Sequence, residues 1–142
     1  MRRWVLLDTG PLVAFVKSKD QFHGWVTAEL ATIEQPLLTC EAVITEACFL
    51  LRTTHAGEET IMALLSDGYL QIPFRLEEEA SAIGALLNRY RSVPMSLADA
   101  CLVRMAELYG GSSVLTLDSD FQIYRKDKNQ AISVIKPSAN HE

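Results

Sequence analysis

Arg3-Trp4-Val5-Leu6-Leu7-Asp8-Thr9-Gly10-Pro11 is the stretch on which the reading of this chain turns. Val5, Leu6 and Leu7 are consecutive apolar residues without alternation, the pattern of a strand buried on both faces in a parallel sheet. The run stops abruptly at a carboxylate and a turn. Asp8 therefore falls at the carboxyl end of a strand, where open α/β sheets place their ligands. Helix capping is the competing use of the same group, with Asp8 or Thr9 at a helix start and Pro11 in its first turn. Acids at comparable places later in the chain bear on that choice.

Outward from this strand, apolar runs and helical stripes take turns. Helices are expected over 12–16 and 22–33, the second with Trp25, Val26, Leu30 and Ile33 on one stripe. Strands over 37–40, 70–72, 114–117 and 132–135 are separated by helices over 41–52, 58–66, 77–90 and 95–109. Strand and helix in alternation imply an α/β fold, with a parallel sheet, right-handed crossovers and helices on both faces.

The 142 residues suit a single domain, 1–142, that buries about two thirds of its extended-chain surface. A composition of 49% hydrophobic and 22% charged residues is that of an ordinary soluble globular protein. No apolar run approaches the ~20 residues of a membrane span, and the basic start Arg2-Arg3 lacks the apolar core of a secretion signal. A cytoplasmic location without membrane attachment is the expectation. Cys40, Cys48 and Cys101 are odd in number and show no C-x-x-C pairing, so buried free thiols are expected rather than a disulfide framework or zinc site. A net charge of −5 would ordinarily repel a polyanion, but acids gathered around a divalent cation reverse the local field.

In the helix expected over 41–52, Val43, Ile44, Ala47, Leu50 and Leu51 share one face and Glu46 lies on its flank. A carboxylate against a buried face must be paired, protonated or metal-bound; the alternative is that Glu46 emerges at the rim beside a cation. Glu41 lies on the opposite side, a first-turn acid favoured by the helix dipole, as are Glu77, Glu78 and Glu79 in a later helix. Ser96 and Asp99 have capping-box spacing, which explains Asp99 structurally. Asp118 ends a strand as Asp8 does, and both Asp118 and Asp120 also suit a side-chain turn. His23 has no second ligand at helical spacing and reads as a packing residue. In the inferred sheet Asp8, Glu46, Asp99 and Asp118 converge at one edge. Four like charges there call for a hard divalent cation with oxygen ligands, Mg2+ or Mn2+ rather than zinc.

Leu7-Asp8-Thr9-Gly10-Pro11-Leu12, Thr45-Glu46-Ala47, Leu97-Ala98-Asp99-Ala100 and Thr116-Leu117-Asp118-Ser119-Asp120-Phe121 resemble the four acidic motifs of PIN domains, in family order and over essentially the whole chain. The resemblance is closest to small stand-alone members that include VapC-type toxins of toxin–antitoxin pairs. It implies a three-layer α/β/α sandwich around a central parallel sheet of about five strands. It also implies endonuclease activity on single-stranded RNA with Mg2+ or Mn2+. Carried across, Asp8, Glu46, Asp99 and Asp118 match the acidic positions, with Asp8, Asp99 and Asp118 as metal ligands. Thr9 and Thr116 match supporting hydroxyls, and Asp120 matches an additional acid. A small antitoxin covering the site and a homodimer are the partners so implied. Arg89, Arg91, Arg125, Lys126 and Lys128 are the basic candidates for RNA contact. Two other classes fit some of the same residues: a non-catalytic PIN-like module that binds RNA or protein, and a receiver-like phosphate-binding α/β domain.

Overall fold

A computed structural model describes residues 4–138; Arg2 and Arg3 of the basic start lie outside them. Five strands form one parallel sheet: β1 (Val5–Leu7), β2 (Leu37–Leu38), β3 (Leu70–Gln71), β4 (Ser113–Leu115) and β7 (Val134–Ile135), in the order β3-β2-β1-β4-β7. Six helices among the described residues flank it: α1 (Thr9–Val16), α2 (His23–Leu30), α3 (Glu41–Leu50), α4 (Gly57–Ser66), α5 (Leu76–Arg89) and α6 (Leu97–Leu108). This is the three-layer α/β/α arrangement expected from the sequence.

The core sits on the two faces of the sheet. Val5, Leu6, Leu7, Leu37, Leu38, Val114 and Leu115 are all buried, as uninterrupted apolar strands require. Thr39 is buried as well, and its hydroxyl donates to the Leu7 carbonyl at 2.9 Å, stitching the end of β2 to the end of β1. Strand order reverses between β1 and β4, each of which is followed by a helical turn. Such a switch point opens a crevice beyond the carboxyl ends of the two strands. A receiver-like domain would carry the order 2-1-3-4-5, so the sheet rules out that alternative.

Three details depart from the sequence reading. The alternation of strand and helix is interrupted by an antiparallel hairpin, β5 (Arg125–Lys126) with β6 (Gln130–Ala131). Its three-residue loop carries positive φ at Asp127 (47°) and Lys128 (75°) without a glycine, so the usual turn signal is missing. The second departure is Leu50, whose place on the apolar stripe predicts burial and which is 52% exposed. Helix α3 ends there, and Leu51, turned inward beyond the last helical residue, takes the buried place. Glu46 is the third, exposed rather than pressed against a buried face.

Cys40 and Cys101 are buried free thiols as expected, whereas Cys48 is free but only half-buried. His23 packs at the start of α2, its Nδ1 donating to the Ala14 carbonyl at 2.7 Å. Glu79, a first-turn acid of α5, also pairs with Arg104 of α6 at 2.7 Å, and Arg104 reaches Glu107 at 3.1 Å. No helix among the described residues is long and apolar enough to cross a membrane.

Candidate active site

The site is built where β1 and β4 end side by side. Register pairs Leu7 with Leu115, and the ladder continues through a bond from the Asp8 amide to the Leu115 carbonyl at 3.0 Å. Asp8 caps α1: its Oδ1 accepts from the Thr9 amide at 2.8 Å. Its Oδ2 accepts from the Thr116 hydroxyl at 2.7 Å. Thr116 is fully buried and works in both directions, since its oxygen also accepts from the Asp118 amide at 3.0 Å. One hydroxyl thus fixes two acids from the ends of neighbouring strands.

Asp118 caps the 3-10 turn Ser119–Gln122, its Oδ1 accepting from the Asp120 amide at 3.0 Å. Asp99 completes a reciprocal capping box on α6: its amide donates to Ser96 Oγ at 3.0 Å, and its Oδ2 accepts from the Ser96 amide at 3.3 Å. The same Oδ2 accepts from the Tyr124 hydroxyl at 2.9 Å. On α3, Glu46 Oε1 accepts from the Thr9 hydroxyl at 2.6 Å, so its partner is a hydroxyl and not the cation considered from the sequence.

Asp8, Asp99 and Asp118 therefore do cap the turns that follow them. Capping does not exhaust them, because a carboxylate offers about four lone-pair sites. Asp8, Glu46, Asp99 and Asp118 all line one cavity of about 660 Å³, with Thr9, Gly10, Leu50, Ser96, Leu117 and Ser119. Asp120 stands beside it, bonded to Asp118 through its amide.

Electrostatically the cavity is costly. Burial pushes the Asp8 carboxyl up to about 6, against the hydrogen bonds from Thr116 and Thr9 and with the charges of Asp99 and Asp118. Burial also raises Asp99, opposed by the Tyr124 and Ser96 hydrogen bonds, and raises Asp120, to which Asp118 adds. Tyr124 is raised by burial and by Asp99, so its phenol stays a donor. Like charges so placed favour any ligand that brings positive charge.

Among the described residues no three His, Cys, Asp or Glu side chains already stand as a metal-ligand cluster; the acids are spread around the cavity wall. Their donor chemistry is nonetheless all oxygen and anionic, which fits a hard divalent cation and not zinc.

Most of the basic candidates gather at the hairpin and the end of α5. Arg89, at the end of α5, donates to the Lys128 carbonyl, and Arg125 and Lys126 form β5. Arg125 also donates to the Gln122 carbonyl at 2.7 Å. The hairpin thus brings Arg89, Arg125, Lys126 and Lys128 to one region, while Arg91 stands exposed in the turn after α5. Sequence reasoning missed Tyr124. Its only trace is the Phe121/Tyr124 spacing, which puts both rings inward after Asp118.

The chain resembles the crystal structure of the Mycobacterium tuberculosis toxin VapC20, described as cleaving the sarcin–ricin loop, with a TM-score of 0.75 and 18% identity over 84% of this chain and 93% of that one. At that identity the likeness shows a shared fold. The comparison with curated protein sequences found no match. A model of the PIN domain matches residues 5–127, from β1 to the β5–β6 loop, and by that match this chain belongs to the PIN-domain family.

Proposed function

We propose that this protein is a metal-dependent endoribonuclease that hydrolyses phosphodiester bonds in single-stranded RNA, and that it is the toxin of a toxin–antitoxin pair. The observation that carries this reading is the convergence of Asp8, Glu46, Asp99 and Asp118 on one cavity at the switch point of the sheet. Membership of the PIN family and the fold shared with an RNA-cleaving toxin support the same class of activity.

Asp8, Asp99 and Asp118 are the residues that would hold Mg2+ or Mn2+, with Asp120 adding negative charge beside them. When bound, such a cation lowers the pKa of water and neutralises charge on the scissile phosphate. The chain's own contribution is placement. Thr116 fixes Asp8 and the backbone of Asp118 at once, so the two acids keep their separation. Thr9 holds Glu46 at one oxygen, which leaves the other to accept a proton from attacking water. In-line attack with departure of the 3′-oxygen would leave a 5′-phosphate. The strand itself would run toward Arg89, Arg91, Arg125, Lys126 and Lys128, whose cationic side chains suit its phosphates. A small antitoxin and a second copy of the chain are the protein partners this reading brings with it, in the cytoplasm.

The test is cleavage of a mixed single-stranded RNA pool by purified protein with Mg2+, with Mn2+ and with EDTA, beside Asp99→Asn. Cleavage that needs the metal, leaves 5′-phosphate ends and falls at least ~100-fold in the variant is expected. Equal cleavage in EDTA or by Asp99→Asn would refute the assignment.

A further inference from the structure

Tyr124 is fully buried, although a phenol in a core needs a partner for its hydroxyl. That partner is Asp99, 25 residues away on α6. The ring is clamped edge-on by Tyr90, with centroids 5.2 Å apart, and by Phe121 at 5.4 Å. Tyr90 is fixed in turn, its hydroxyl accepting from the Arg125 amide at 2.8 Å. The hydroxyl is thus aimed by packing, not by a flexible stem.

From this geometry we infer that Tyr124 is a positioning residue for the metal site: its hydroxyl holds Oδ2 of Asp99 and so presents Oδ1 to the cation. The Ser96 amide bonds that same oxygen, so both holds fall on Oδ2 and neither competes for Oδ1. A carboxylate free to rotate about its last bond would lose entropy on binding a cation. One already fixed does not. The segment after β4 then serves the site twice, directly through Asp118 and indirectly through Tyr124. This inference rests on the metal-dependent reading above.

Tyr124→Phe keeps the ring and removes only the hydroxyl. Mn2+ affinity measured by calorimetry is expected to fall about 10–100-fold, the usual cost of losing an outer partner of a metal ligand. RNA cleavage at limiting Mn2+ should fall with it and recover as Mn2+ is raised, while KM for RNA stays unchanged. A merely structural role would lower thermal stability without a metal-dependent recovery. Native affinity and cleavage in a folded Tyr124→Phe would overturn the inference while leaving the nuclease reading intact. Failure of the native protein to bind Mn2+ would overturn both. If the variant does not fold, the native protein labelled at tyrosine Cζ decides. One of its four tyrosine signals should shift in step with Mg2+ saturation, and no shift in any of them would overturn the inference.

Discussion

Asp8→Asn is expected to make the metal-free protein more stable by about 2–3 kcal/mol at pH 7.5, roughly 5–10 °C in Tm, while abolishing cleavage. The reason is the burial that pushes the Asp8 carboxyl up to about 6 from an ordinary value of 3.8. Between those two values the native state keeps a proton that the unfolded chain releases. Metal-free stability therefore falls as pH rises through that window, and the penalty is complete above it. Asp99 and Asp120, also raised, act in the same direction. Asparagine is neutral throughout, so its advantage over Asp8 should vanish near pH 4 and reach its maximum above pH 6. Denaturant melts in EDTA at pH 4.5 and 7.5 measure this directly. A variant less stable than the native chain at pH 7.5 would mean that Asp8 is not under electrostatic strain.

Thr116→Val should have the opposite sign. Valine keeps the β-branched shape at the buried position just after β4 but removes the hydroxyl that donates to Asp8 and accepts from the Asp118 amide. Leaving a buried charged oxygen unpaired costs about 2–3 kcal/mol, and the two acids lose their common anchor. Cleavage should drop with stability, and Thr116→Ser should restore most of both. In an Asp8→Asn background the same valine substitution should cost about 1 kcal/mol less, since a neutral partner gains less from the hydroxyl. Equal costs in both backgrounds, measured as a double-mutant cycle, would show that the Thr116–Asp8 bond is not the interaction that matters.

Both predictions depend on features that differ in how far the sequence discloses them. The strands β1 and β4 are legible because burial on both faces demands unbroken apolar runs, and the acids that end them follow from their position. Helix α6 announces itself through the Ser96–Asp99 box, which the structure forms in full. Capping and facing the cavity look like rivals in sequence, yet Asp8, Asp99 and Asp118 do both, because a cap engages only part of a carboxylate. The hairpin β5–β6 escapes notice because its loop uses Asp127 and Lys128 at positive φ in place of glycine, and its strands are two residues long with no apolar run. Leu50 follows the helical stripe on paper, but the helix ends at that residue and the wall of the cavity receives it. Glu46 is held by Thr9, a contact across 37 residues. Tyr124 is a similar case, since a hydrogen bond between distant segments leaves no periodic mark.

On this reading Asp8, Asp99 and Asp118, brought together with Glu46 beside them, form a site for a divalent cation. Calorimetric titration of Mn2+ into the purified protein at pH 7.5, alongside Asp8→Asn, tests it most directly. Saturable binding by the native chain and none by the variant is the predicted result. Because the variant is expected to be the more stable of the two, lost binding cannot be put down to unfolding. No binding by the folded native protein, or undiminished binding by Asp8→Asn, would contradict the account and leave these acids as helix caps alone.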